Sequence, residues 1–305
     1  MDELPFHKVF IDSRTASLGT ASSFEVTLPE TLSLSREAVC YVTDIAISHS
    51  FCSVDGTGTV GGANHFVYFV EVNAVGANPI MCRAALTEGS YTAEELGGEL
   101  AARMTAASYV GAAYTAAYRP SLNALQVNSS KGFLFVNKDL LQDAEFQAYF
   151  GTPTRLLTSA GEYTLSWAAP EDCCGLLGLA RGGSKNLTFA ELLSLNSFGG
   201  EAVQVTGHVD VRRRHCLYLH SQALANLRAL GPGGSRTVLA RMPVDSVYGG
   251  LVAKQHNGHM LDFQPCGGRT LRTLDFSLRD SFGNLVDLRG GHVSFELLFA
   301  PKPLV

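Results

Sequence analysis

The sequence predicts a mainly β protein: an eight-stranded antiparallel jelly-roll sandwich with an inserted α+β domain. Short segments in which apolar and polar residues alternate lie towards both ends of the 305-residue chain. This spacing is typical of strands, whose side chains point to opposite faces in turn. Helical spacing is found in the middle of the chain. We therefore expect residues 1–75 and 201–305 to form the jelly-roll domain and residues 76–200 to form the insertion domain.

The clearest strands lie at the end of the chain. In the first of them, Leu274, Phe276 and Leu278 alternate with polar residues. After a polar turn and a glycine-containing stretch, a second run has four apolar residues on one face: Val293, Phe295, Leu297 and Phe299. Leu298 interrupts its polar face, and two prolines then stop ladder pairing because they lack an N–H donor. A terminal strand this apolar is expected to pair in the middle of a sheet.

Further strands of the jelly-roll domain are predicted on both sides of the insertion. Before it, the alternation favours strands at residues 7–12, 24–28, 39–48 and 66–72, the second of them ended by Pro29. After it, the domain resumes with alternating valines over residues 203–211. Two more strands follow, at residues 216–220 and 237–243.

The insertion domain begins with a strong helix signal. Thr92 and Glu95 have the spacing of a capping box, in which each side chain accepts a hydrogen bond from the other residue's backbone N–H. Leu96, Leu100 and Met104 follow at helical spacing and predict a buried face. Two glycines inside this helix, at positions 97 and 98, each cost about 1 kcal/mol relative to alanine. Several short strands, a second helix over residues 139–150 and an extended segment at 163–167 are predicted after it.

Composition excludes several classes of protein. Hydrophobic residues make up 46% of the chain and charged residues 17%, less than the roughly 25% that is usual in soluble domains. The net charge of −5 does not fit a basic nucleic-acid binder. No apolar run approaches the ~20 residues of a membrane span, and the first residues lack the pattern of a secretory signal. Seven scattered cysteines without a C-x-x-C pair favour buried free thiols in a reducing compartment.

Two glycine-rich stretches resemble phosphate-binding loops but lack the flanking residues or helix that such loops need. Residues 56–61 match the pattern G-x-G-x-x-G, but a strand follows them where a dinucleotide site needs a helix. Residues 231–234 lack the G-K-[ST] ending of a P-loop. Both stretches are interpreted as surface loops, and no cofactor-binding residue is predicted.

No catalytic group or metal site is predicted either. His215 and Cys216 are adjacent, but neighbouring residues of a strand point to opposite faces and cannot act as a pair. His256 and His259 flank Gly258, which indicates a loop, and no H-E-x-x-H motif surrounds them. An enzyme that uses Cys216 or this histidine loop is the least favoured hypothesis.

Arg212, Arg213 and Arg214 form the basic cluster of the sequence. Three arginines at a strand end are typical of a solvated bend. The alternative is a contact with nucleic acid or with an acidic patch on a neighbouring subunit. The sequence leaves the role of the cluster open.

Three regions resemble single jelly-roll minor capsid (penton) proteins of Polinton-like viruses, adintoviruses and virophages. One is the start of the chain, with residues 6–13 and 24–28, and another is the helix that opens with G-x-Y-T-x-E-E-L at residues 89–96. The third is residues 209–305, which contain the pattern D-x-x-G-N-x-V-D-L-x-G-G before the last strand. Its matching residues are Asp280, Gly283, Asn284, Val286, Asp287, Leu288, Gly290 and Gly291.

This resemblance implies a structural protein of the virion, made in the host cytoplasm or nucleus. Such proteins form homopentamers at icosahedral vertices, beside a double-jelly-roll major capsid protein and possible further minor capsid or spike proteins. The alternative is a jelly-roll module that binds a glycan or a receptor. Exposed aromatic residues of the insertion would support that alternative, and the candidates are Tyr109, Tyr114, Tyr118 and Trp167.

Overall fold

The structure is a computed structural model that divides into two compact units. The first comprises Met1–Phe51 and Arg214–Val305, and the second comprises Cys52–Arg213. The structure describes residues 6–56, 64–72, 79–137, 144–150, 154–158, 161–165, 173–179, 202–212, 214–225, 230–254 and 263–302.

Strands dominate both units. Within the described residues the strands are β1 His7–Asp12, β2 Leu18–Thr20, β3 Ser23–Ser33, β4 Ala38–Ser48, β5 Phe66–Val72, β6 Ile80–Ala85, β7 Tyr114–Arg119, β8 Ala124–Ser129, β9 Gly132–Val136, β10 Thr154–Thr158, β11 Gly161–Leu165, β12 Ala202–Val205, β13 Cys216–His220, β14 Val238–Pro243, β15 Leu251–Lys254, β16 Gln264–Pro265, β17 Thr270–Arg279 and β18 Val293–Pro301. The α-helices there are α1 Ala93–Ala107 and α2 Ala144–Phe150.

The first unit has the strand order of a jelly roll. One sheet has the order β1-β18-β4-β15, with β16 also paired to β4, and the other has the order β14-β13-β17-β3-β2. Leaving aside the short strands β2 and β16, eight strands remain. The first, eighth, third and sixth share one sheet, and the second, seventh, fourth and fifth share the other. All of these pairs are antiparallel. This is the two-sheet arrangement of a jelly roll, and the predicted fold class is confirmed.

The terminal strand β18 lies inside its sheet, as predicted. It pairs with β1 on one side and with β4 on the other. Its inward residues are almost completely buried: Val293, Phe295, Leu297 and Phe299. The ring of Phe295 contacts that of Phe276 on β17 edge to face, with centroids 4.9 Å apart, and so joins the two sheets. Leu298 points to the outer face and is half-buried there.

Strand β3 does not end at Pro29, which corrects one boundary of the sequence analysis. The strand continues to Ser33, and its pairing with β17 shifts register between Leu271 and Thr273. Pro29 lies on the irregular stretch of β3, where a ladder N–H is not required. Its carbonyl oxygen accepts a hydrogen bond from Arg272 Nη1 at 2.7 Å.

The loop between β17 and β18 contains the residues of the penton-like pattern, and its first half is a tight turn. Asp280 Oδ1 accepts hydrogen bonds from the backbone N–H groups of Phe282 and Asn284, at 2.9 and 3.0 Å. Gly283 has a φ of +85°, which glycine adopts without strain. Two apolar side chains farther along the loop are buried in the core of the unit: Val286 and Leu288.

The second half of this loop is a further turn. Asp287 Oδ1 accepts from the backbone N–H of Arg289 at 2.8 Å. Gly290 has a φ of +84°, and a Cβ on Gly291 would lie 2.5 Å from Ser50 Oγ. Backbone conformation and close packing therefore account for the acidic and glycine residues of the pattern, which serve to lead the chain into its last strand.

The second unit contains three separate sets of paired strands among its described residues. Their orders are β6-β5-β9, β12-β8-β7 and β10-β11. The sequence analysis assigns β5 and residues 203–211 to the jelly-roll domain, and this assignment is wrong for both strands: β5 pairs with β6 and β9, and β12 pairs with β8. The compact unit is accordingly wider than the predicted residues 76–200. That it is an independently folding insertion domain stays a prediction.

Helix α1 begins at the predicted capping box, in which Thr92 Oγ1 accepts from Glu95 N–H and Glu95 Oε2 accepts from Thr92 N–H. Its predicted apolar face is buried: Leu96, Leu100 and Met104 are fully covered. Gly97 allows the helix to approach β8, because a Cβ there would lie 3.0 Å from Leu125 Cδ2. The second predicted helix is described as α2, and residues 138–143 before it lie outside the described part of the chain.

Replacing Leu297 by alanine tests the role of β18. This side chain is fully buried between the sheets, so the Leu297→Ala variant should lose about 2–5 kcal/mol of unfolding free energy. Leu298→Ala, on the outer face of the same strand, is the matched control and should cost less than about 1 kcal/mol. Urea denaturation followed by circular dichroism measures both. Equal losses for the two variants would contradict the assigned faces.

Candidate functional site

The adjacent residues His215 and Cys216 do not form a catalytic pair. The Cys216 side chain is buried, whereas His215 is exposed just before β13 begins. The Cys216 thiol instead contacts Arg241 on β14, whose Nε and Nη2 donate to Sγ at 3.2 and 3.0 Å. Across the residues that the structure describes, no three His, Cys, Asp or Glu side chains are grouped so as to hold a metal ion.

Several residues singled out in the sequence lie outside the described residues. These are most of the glycine loop at 57–61, Trp167, Arg213, His256 and His259. The neighbouring Arg214 is buried, and its guanidinium lies 5.6 Å from the centroid of the Phe51 ring. The interpretation of the cluster as a solvated bend is therefore wrong for Arg214, because the cation packs on an aromatic face. Arg212 is exposed.

The cysteines are buried free thiols, as predicted. The tyrosines of the glycan hypothesis are not equivalent. Tyr109 is half exposed, Tyr118 is partly buried, and Tyr114 belongs to the core of the second unit. No helix among the described residues is both long and apolar enough to cross a membrane.

A buried carboxyl group, Glu71 on β5, organises the polar part of the second unit. It is completely inaccessible to solvent. Its Oε1 accepts a hydrogen bond from the Tyr114 hydroxyl at 2.7 Å, and its Oε2 accepts from the backbone N–H of Tyr109 at 3.0 Å. The Cys82 thiol lies 3.3 Å from Oε2 and donates to it as well. Burial, followed by the proximity of Glu71, raises the pKa values of Tyr114 and Cys82 above their usual range.

Glu71 was not identified from the sequence, although a signal was present. It is the acidic residue inside an otherwise apolar strand, and buried carboxyl groups need hydrogen-bond donors. Its donors come from β6, from β7 and from the segment that follows α1. Because each of its contacts is to a core side chain or to the backbone, its role here is to hold the end of α1 against β5.

The first unit has a cleft on the outer face of the sheet β14-β13-β17-β3-β2. Its volume is about 600 Å³. Outward side chains of three neighbouring strands form its floor: Ser23 and Glu25 from β3, Asp275, Ser277 and Arg279 from β17, and His220 from β13. Residues of two loops border it: Gln222, Pro232, Ser235 and Thr237 from one, and Asp280 and Gly283 from the other.

One row of polar residues crosses the floor of the cleft. Ser277 is opposite Ser23 on one side and opposite His220 on the other. The Nδ1 atom of His220 is hydrogen-bonded to Thr237 Oγ1 at 2.8 Å. Burial, together with the charge of Arg279, lowers the pKa of His220 from 6.5 to about 4. The imidazole is therefore neutral at pH 7.

A second row contains two carboxylates, Glu25 and Asp275, which are directly opposite each other on neighbouring strands. Asp275 holds a loop, because its two oxygens accept from the backbone N–H groups of Gln222 and Ala223 at 2.8 and 2.7 Å. Arg279 donates to Ser277 Oγ at 3.2 Å and to the Gly283 carbonyl at 2.8 Å. The sequence shows these residues as the polar positions of alternating strands, but the pairing that assembles them depends on register.

Tyr114→Phe tests the Glu71 network. The substitution removes the donor to Oε1 and leaves a buried acceptor unsatisfied, so we expect a loss of about 1–3 kcal/mol. Tyr118→Phe is the matched control, because its hydroxyl bonds to Asn123 in a partly exposed position and should contribute less than about 1 kcal/mol. Hydrogen exchange of the amides in β5 and α1 measures the effect. Equal protection in both variants would contradict this role.

His220 should make stability depend on pH. Its pKa is lowered in the folded state, so its contribution is complete above about pH 6.5 and is lost as the pH falls towards 4. The loss is at most about 3 kcal/mol for this shift. Urea denaturation of the His220→Gln variant should show a flatter pH profile than the unmodified protein over this range. His7→Gln, at an exposed position, should keep the original profile, and a flattening there would refute the assignment.

No protein-family model and no curated protein sequence matches this chain. Among solved structures, the chain is similar to the crystal structure of the selenomethionine-labelled mavirus penton protein. The two are 10% identical, with a TM-score of 0.46, over 98% of this chain and 99% of that one.

Proposed function

We propose that the protein is a structural capsid protein that forms homopentamers at the icosahedral vertices of a virion, next to a double-jelly-roll major capsid protein. The observation that carries this proposal is the agreement between pattern and topology at the end of the chain. The penton-like pattern at residues 280–291 joins the last two strands of a jelly roll, and the final strand lies inside its sheet. Double-sheet jelly rolls are widespread in viral capsid proteins.

The surface of the first unit is suited to contacts between subunits. Several large apolar side chains there, away from the cleft, are more than half exposed: Phe10, Val247 and Leu251. The low charged fraction of 17% leaves much neutral surface as well. A ring of five subunits uses two different patches on each subunit and closes when the rotation between neighbours is a fifth of a turn. Fold alone does not determine function, so the oligomer itself is the decisive property.

Native mass spectrometry of the purified full chain tests this proposal. The expected species has five times the subunit mass of 32.6 kDa, and its population should rise with protein concentration. Electron cryomicroscopy of particles that contain the protein should show it at the fivefold vertices. A protein that stays monomeric at high concentration and is missing from those vertices would refute the proposal.

A further inference from the structure

The cleft on the sheet β14-β13-β17-β3-β2 has no task in the proposed capsid role. Its volume of about 600 Å³ lies within the range of small-molecule sites. Its floor is formed by regular strands, which hold side chains in defined positions.

His220 is the first sign of a ligand site. The residue is 94% buried, and it lines the cleft. Its Nδ1 atom is bonded to Thr237, with Ser235 Oγ at 3.5 Å, but its Nε2 atom has no hydrogen-bond partner among the described residues. This nitrogen is open to the cleft, so a ligand hydroxyl group can bond to it without displacing a protein group.

Glu25 is the second sign. Its carboxylate is exposed in the cleft and has no hydrogen bond or ion pair within the described part of the chain. It is opposite Asp275, and like charges in that position destabilise a sheet. Asp275 is already engaged by the backbone N–H groups of Gln222 and Ala223. Glu25 is therefore the acceptor that remains for a ligand.

The cleft also contains hydrogen-bond donors, and groups that can either donate or accept a hydrogen bond. The exposed side-chain amide of Gln222 has no partner among the described residues, and neither does the hydroxyl of Ser23. The guanidinium of Arg279 lies in the same cleft. A hydroxyl group and a neutral imidazole nitrogen can each take part in a hydrogen bond as donor or acceptor, according to their orientation and tautomer.

This set of groups distinguishes between ligand classes. Arg279 opposes a cationic ligand, and Asp275 is already satisfied by N–H donors. The carboxylates of Glu25 and Asp275 oppose an anionic ligand. A neutral ligand with several hydroxyl groups can donate to the Glu25 carboxylate and accept from the Gln222 amide. Its hydroxyl groups also suit the Ser23 hydroxyl and the His220 imidazole, which can each donate or accept. We propose that this cleft binds one or two sugar units of a glycan through Glu25, His220 and Gln222.

A nearby aromatic side chain agrees with this ligand. Phe282 is 85% exposed on the loop whose residues Asp280 and Gly283 border the cleft. The C–H face of a sugar ring is weakly positive and packs on the negative face of an aromatic ring. The loop therefore offers an apolar surface next to the polar floor.

Saturation-transfer NMR with the purified full chain tests the proposal. The probes are the methyl glycosides of glucose, galactose, mannose, fucose and N-acetylglucosamine, together with lactose, each at up to about 10 mM, ten times a millimolar Kd. At least one probe should receive saturation. Calorimetry with that probe should show binding weakened about tenfold in the Glu25→Ala variant, because a hydrogen bond to a charged group is lost. A smaller loss is expected in Gln222→Ala.

Glu30→Ala is the matched control, since Glu30 is exposed on the same strand outside the cleft and should bind as before. Silence of all the probes would overturn the proposal, and so would binding that survives Glu25→Ala or is equally lost in Glu30→Ala. Tetralysine is a further probe: its binding through Glu25 while the sugars stay silent would replace the glycan with a basic peptide. The measurement does not require a pentamer, so its failure and that of the capsid proposal are separate results.

Discussion

The first unit depends on the position of β18 between β1 and β4. This arrangement brings the two ends of the sequence into one sheet, so that the pair Ile11 and Phe295 joins residues almost a whole chain apart. Neither β1 nor β4 can complete its ladder until the last strand is present. Contacts this distant in sequence cost loop-closure entropy before they contribute stability, so the sheet is expected to form late in folding. Edge-to-face packing of Phe276 and Phe295 then links this sheet to the second one.

Strand periodicity was sufficient to predict the class of fold and most of the strands, but it did not identify their partners. The alternation of Phe66–Val72 is equally compatible with a jelly-roll strand and with the centre of the sheet β6-β5-β9. The same holds for Ala202–Val205. The missing N–H donor of Pro29 predicts a strand end, whereas the irregular register of β3 against β17 removes the need for that donor. Helix α1 was predictable because its cap and its apolar face are local properties of the sequence.

The cleft could not be predicted, because in the sequence its floor residues are simply the polar positions of alternating strands. Glu25 and Asp275 are 250 positions apart and meet through one register of β3 against β17. The buried carboxyl group of Glu71 illustrates the same difficulty in the second unit. It accepts hydrogen bonds from β6, from β7 and from the segment after α1. In both units a carboxyl group fixes a connecting segment to a sheet. A pattern-based interpretation finds the acid but not the segment that it holds.

The buried cysteine thiols can be used to measure local opening of the structure, because they become reactive when they are exposed. Cys40, Cys216 and Cys266 belong to the first unit, and Cys52, Cys82, Cys173 and Cys174 belong to the second. Burial raises the pKa of Cys266 to about 11 and moves that of Cys40 in the same direction, so little thiolate is present at neutral pH. An alkylating reagent reacts with the thiolate and must wait for the surrounding strands to separate. Peptide mapping of the modified cysteines would therefore measure the rate of local opening in each unit separately, without any engineered probe.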